Sequence, residues 1–217
     1  LLIASLLFSL TSYLLLTNKE LSLLDQTELL LLLGQVILGI AILVVAIDAS
    51  SVINIEFEKE TAESLFLSPL SFKDLIIGKF LSSLTLWFYI YIVAVPYILV
   101  ASSGSNLVIP FLLYAFLLGT IGISAIIAIV FAISLFYRSS KNTITTSLIL
   151  LLIFFTPAFF VSTFKSITLI SLFSKINPVD NIFSSLDNLL VDYQIHLSDN
   201  LKYIIPFLVF LVLGIAF

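Results

Sequence analysis

The groups able to do chemistry are scarce in this chain, and their types exclude most catalysis. Cysteine is absent, and His196 is the single histidine among 217 residues. Thiolate nucleophiles, disulfides, zinc–thiolate sites and multi-histidine metal sites are therefore excluded. No cofactor is expected. One serine, Ser124 in Gly122-Ile123-Ser124, sits in a setting that faintly suggests a nucleophile. It needs a base within hydrogen-bond reach, and His196, in a polar connection, is the one candidate. Position 126 is Ile, where a nucleophile elbow has its second glycine. An intramembrane serine hydrolase is thus the enzyme alternative. Gly78-Lys79 is followed by Phe80, and position 73 is Lys, so this is not the P-loop that cradles nucleotide phosphates.

Charge gathers in one place. Residues 54–80 read NIEFEKETAESLFLSPLSFKDLIIGKF. On a helix, Glu56, Lys59, Glu60 and Glu63 share one side, Phe57, Thr61 and Leu65 the other, and Glu58 lies at the border. Interfacial helices that bind anionic lipid carry Lys and Arg on the polar face. This face is acidic and suits a basic groove on a partner protein. From the charges alone, a solvated face with no partner fits equally. Ser68-Pro69 breaks the helix. Ser71 and Asp74 have capping-box spacing, which predicts a new helix from about Phe72 through Gly78-Lys79. Lys79 is expected to snorkel to the surface. The result is a short helix, an elbow and a long apolar helix, an arrangement suited to passing on a force.

The surroundings of this segment are membrane-like. Hydrophobic residues make up 61% of the chain and charged residues 10%, against ~25% charged in a soluble domain. Mean hydropathy is +1.25. Six apolar segments are read, at about 1–16, 29–53, 75–101, 107–136, 144–164 and from 203. Uncharged segments of this length must be helices, because lipid offers no partner for free N–H and C=O groups. The expected fold is an all-α integral membrane protein, one domain over 1–217. Both ends stop inside apolar runs and are expected to be trimmed. The net charge of −4 argues against nucleic acid. Lys59, Lys73, Lys79, Arg138 and Lys141 fall on one side, and Lys19, Lys165, Lys175 and Lys202 on the other. The short loop with Arg138 and Lys141 has no acid to offset it, so its side is read as cytoplasmic.

Three further features leave alternatives open. Gly122, Ala125, Ala128 and Ala132 share a face that admits close helix approach, read as packing inside one protomer. Pro96, Pro157 and Pro206 are hinges or tolerated bends. Asp48 lies inside an apolar segment near its end; a solvated helix-end acid is preferred there to an ion pathway. Beyond 164, residues 179–190 form an amphipathic pattern. Ile182, Leu186, Leu189 and Tyr193 lie on one face, with Asp180, Asn181, Ser184, Asp187 and Asn188 opposite.

The segment Glu58-Lys59-Glu60-Thr61-Ala62-Glu63-Ser64-Leu65, then Leu67-Ser68-Pro69-Leu70-Ser71, then Gly78-Lys79, resembles the signature of type-2 ABC exporter permeases. That signature is roughly E-x-E-x-G-T-x-E-x-L-x-x-(S/T)-P-(L/V)-S, with G-K a few residues on. Here Glu60 stands directly before Thr61, where the family has Gly. Arg138-Ser139 and Asn177-Pro178 also match family elements. The resemblance implies a membrane-spanning permease, paired with a second permease subunit and driven by a separate ABC-type ATPase. The segment 56–67 would be the cytoplasmic coupling helix, and the helix at 179–190 would dip into the outer leaflet and close the exit. A helix resting passively at the interface is the plainer alternative. The expected location is the cell membrane, as a multi-pass protein of a prokaryotic cytoplasmic membrane. A haem-exporter B permease of cytochrome c maturation is the alternative subtype. A secondary transporter would show more intramembrane charge and an internal repeat, and neither is seen.

Overall fold

The computed structural model describes residues 2–17, 26–58, 72–101, 107–137, 139–159, 168–190 and 197–216. These residues form nine helices and no strand: α1 (Leu2–Thr17), α2 (Gln26–Val52), α3 (Asn54–Glu58), α4 (Phe72–Ala101), α5 (Val108–Phe136), α6 (Ser140–Phe159), α7 (Thr168–Ile176), α8 (Pro178–Leu190) and α9 (Leu197–Ala216). Among them, Thr27–Val52, Lys73–Val100 and Val108–Phe136 are long and apolar enough to cross a membrane. Shorter apolar stretches occur at Ser5–Leu14 and Lys202–Val212. Helix α6 has 20 residues but opens with the polar run SKNTITTS. The protein is an all-α membrane protein.

Helix α2 is the spine, touching α1, α4, α5, α6 and α8, while α9 lies along α5. Such helices are apolar on every side, so burial alone does not say which faces meet. Lipid is as apolar as leucine, and helices associate in it through close packing and a few hydrogen bonds. Glycine marks the close approaches. A Cβ at Gly119 would stand 2.6 Å from Trp87 Cζ2. The Trp87 indole donates to Thr120 Oγ1 at 3.1 Å, one residue along α5. A Cβ at Gly34 would stand 2.7 Å from Phe111 Cζ. Outward, Tyr89, Ile92, Ile109, Leu113, Leu117 and Leu152 are exposed, an apolar coat of the kind that lipid covers.

The small-residue face of α5 works inside the protomer. Gly122, Ala125 and Ala128 are buried. A Cβ at Gly122 would meet Ile182 Cδ1 at 2.6 Å and Phe207 Cε1 at 3.6 Å. Gly122 thus admits a side chain of α8 at the central residue of α5.

Candidate functional site

Two polar regions stand out. The first lies where α2 ends. Ile53 is a turn residue, and α3 then carries Asn54 and Glu58 across to the start of α6. Glu58 Oε1 accepts from the Ser140 backbone N–H at 2.7 Å, and Oε2 accepts from Ser140 Oγ at 3.0 Å. A carboxylate on the first N–H of a helix satisfies an orphan donor and meets the positive end of the helix dipole. One turn deeper, Asn54 Nδ2 donates to Thr143 Oγ1 at 2.6 Å, with both residues buried. Asn54 Oδ1 and Ser147 Oγ, also buried, have no partner among the described residues. Each such orphan costs about 1–3 kcal/mol.

The other root of the acidic segment is fixed to the same end. Helix α4 starts at Phe72, as the capping spacing predicts. Seven residues on, Lys79 Nζ donates to Val52 O at 2.5 Å. The ammonium closes a carbonyl at the end of α2, where a cation is favoured. One turn further along both helices, Ser83 Oγ donates to Asp48 Oδ2 at 2.9 Å. Asp48, half-buried, therefore pairs with a fully buried hydroxyl and helps join α2 to α4.

Of the predicted coupling residues, Glu58 is exposed and placed, and Glu56 lies within α3. Lys59, Glu60, Thr61, Glu63, Leu65, Ser68, Pro69, Ser71 and Arg138 lie outside the described residues, as does His196. Asp74, Gly78 and Lys79 stand on the first turns of α4, and Lys141 is exposed on the first turn of α6. Asn54, Thr143 and Ser140 carry no sequence signal of the joint they make.

The second region is the elbow between α7 and α8. Asn177 Oδ1 accepts from Val179 N–H at 3.0 Å, with Pro178 at the first helical position. This is the arrangement a helix start favours. Asn177 Nδ2 donates to Phe154 O at 2.6 Å. That carbonyl lies next to the one at Ile153, which Pro157 leaves without its helical donor. Asn181 Nδ2 donates to Asn177 O at 2.7 Å and to Lys175 O at 3.0 Å, and Ser174 Oγ donates to Asp180 Oδ2.

Helix α8 differs from a helix resting on the interface. Its apolar face is buried, but so are Asp180 and Asn181 from the expected polar face. It packs among α2, α5, α6, α7 and α9. Ile182 meets Gly122, Ser185 Oγ lies 2.5 Å from Tyr114 Oη, and Leu186 approaches Gly34. So α8 runs antiparallel to α5, with Asn177 toward mid-bundle and its other end toward the start of α5. Asp180 and Asn181 are buried with their hydrogen-bond partners supplied by α7 and by the Asn177 carbonyl.

Ser124 points its hydroxyl back to Thr120 O at 2.6 Å, a bond within its own helix. No three-residue group of His, Asp or Glu fit to hold a metal occurs among the described residues.

The family model of ABC-2 family transporter proteins matches residues 2–214. The chain belongs to the ABC-2 transporter family. It is therefore an ABC transporter permease, a membrane component of transport. Permeases of this family work with an ABC ATPase. No curated protein matches the chain.

Proposed function

We propose that this permease is the membrane-spanning half of an ATP-driven exporter. Its acidic segment, 56–67, is the coupling helix that a separate ATPase subunit grips from the cytoplasm. The observation that supports this most is the anchoring of both roots of that segment at one end of the bundle. On one side Glu58 and Asn54 hold α6. On the other, Lys79 and Ser83 of α4 hold the end of α2. A force on the segment would therefore reach α2, α4 and α6 together. Glu56, Glu58, Glu60 and Glu63 supply charge for a basic groove, and Lys59, Thr61, Leu65, Ser68 and Pro69 shape the segment and its elbow. Gly78 and Lys141 lie around the same end.

In this reading the chain hydrolyses nothing itself and pairs with a second permease subunit in the cell membrane of a prokaryote. Helix α8 closes the far end of the pathway. The test is co-purification from membranes with the partner ATPase. Reversing charge at Glu60 and Glu63 together (Glu60→Lys, Glu63→Lys) is expected to cut ATPase recovery at least tenfold, with the permease still inserted. Unchanged recovery would overturn the coupling role.

A further inference from the structure

The joint between α3 and α6 holds more hydrogen-bonding groups than it uses. Ser140, Thr143 and Ser147 follow one another on α6 at steps of three and four residues, so their hydroxyls form one stripe. Helix α3 presents two side chains four residues apart, Glu58 and Asn54. They occupy the first two positions of the stripe, Glu58 on Ser140 and Asn54 on Thr143. The third position, Ser147, is 1% exposed, and its Oγ has no partner among the described residues. The same holds for Asn54 Oδ1, one turn away. A hydroxyl both donates and accepts, so Ser147 is able to satisfy that oxygen.

We infer that Asn54, Thr143 and Ser147 are positioning residues of a joint with two registers, the second reached when α6 shifts by one turn relative to α3. In the second register Asn54 Oδ1 accepts from Ser147 Oγ, and Glu58 moves from Ser140 to Thr143. Asn54 and Glu58 each keep a hydroxyl partner, and Asn54 Oδ1 and Ser147 Oγ become paired, while Asn54 Nδ2 gives up Thr143. Ser140, left behind, is only half-buried at the helix start, where water reaches its N–H. Packed helices move between discrete registers of this size because intermediate positions clash. The shift would travel along α6 to Phe154, whose carbonyl holds the α7–α8 elbow through Asn177. The inference rests on the coupling reading above for what drives the shift, and on the orphaned groups for its existence.

The cysteine-free chain makes the joint open to disulfide trapping. In the co-purified complex without nucleotide, Asn54→Cys/Thr143→Cys is expected to cross-link and Asn54→Cys/Ser147→Cys to remain largely open. With ATP and vanadate, the second pair is expected to rise several-fold. No rise, or no cross-link by the first pair, overturns the two registers. Ser147→Ala gives an independent measurement on the purified permease. Its Tm is expected to equal or exceed that of the parent, because an unpaired hydroxyl is removed. A fall in Tm would show that Ser147 already has a partner and would overturn the inference. In the complex, Ser147→Ala is expected to lower ATP hydrolysis several-fold, with rescue by Ser147→Thr. Ser134→Ala, which removes a buried unpaired hydroxyl on α5, is expected to match Ser147→Ala in Tm and, unlike it, to leave hydrolysis unchanged. Normal hydrolysis by Ser147→Ala also overturns the inference. Failure of any ATPase to co-purify would instead strike the coupling reading, and the Tm comparison would still decide the orphan.

Discussion

At the scale of single residues, two glycines on neighbouring helices differ in what they do. Gly119 is where the Trp87 ring lies against α5; a Cβ there would stand 2.6 and 2.9 Å from two ring atoms and 3.0 Å from Leu38 Cδ2. The ring is rigid and its N–H is committed to Thr120, so it has little room to yield. Gly119→Ala is expected to cost about 1–3 kcal/mol, as overpacking does. Trp87→Phe in the same chain should return part of it, read by thermal melting in detergent. Gly78 has nothing within 4 Å of its would-be Cβ. Gly78→Ala is expected to gain about 0.5–1 kcal/mol from helix propensity alone. A melt that drops would show that open space is not the whole account of this position. If Gly78→Ala stays stable yet weakens ATPase recovery, the open face is where the partner approaches.

At the scale of elements, the α7–α8 elbow depends on two separable duties of Asn177. Its oxygen caps α8 and its amide group holds Phe154 O. Asn177→Ser keeps a capping oxygen and loses the reach to α6, whereas Asn177→Ala loses both. The serine variant is expected to melt below the parent by the worth of one interhelical bond, about 0.6–2 kcal/mol. The alanine variant should lose about 1 kcal/mol more. A serine variant equal to the parent would mean that the link to α6 contributes nothing to stability. This element also shows where the sequence stops being readable. The start of α4 at Phe72 follows from Ser71 and Asp74, because a capping box is local. Helix α6 starts at Ser140, four residues before the apolar run expected from 144, because its cap is Glu58, 82 positions away. Likewise the alternation in α8 predicts a wet polar face, and the structure buries Asp180 and Asn181 there. Their partners, Ser174 and the Lys175 carbonyl, lie across the elbow on α7. Periodicity reports which residues share a face; it does not report which neighbouring helix brings a partner to that face.

At the scale of the whole molecule, everything said of coupling depends on which side of the bilayer carries the α3–α6 joint. The joint and the far end of α8 lie in opposite halves of the bundle: Asn54 follows the last residues of α2, while Leu186 approaches Gly34 near its first turns. The Lys and Arg counts on the two sides are nearly balanced, so charge alone supplies little orienting force. The short loop before α6, with Arg138 and Lys141 and no acid, decides the assignment. Single cysteines in this cysteine-free chain measure it directly. Lys141 and Lys202 are both exposed, at the start of α6 and near the start of α9. Lys141→Cys is expected to react with a membrane-impermeant maleimide in inside-out vesicles and to be protected in intact cells. Lys202→Cys should behave in the opposite way. The substitutions remove one charge each from solvated positions, where effects on stability are usually within about 0.5 kcal/mol. Labelling of Lys141→Cys from outside intact cells would put the acidic segment where no cytoplasmic ATPase reaches it. The hydrogen bonds of the joint would then remain, but as a cap on α6 with no motor behind it.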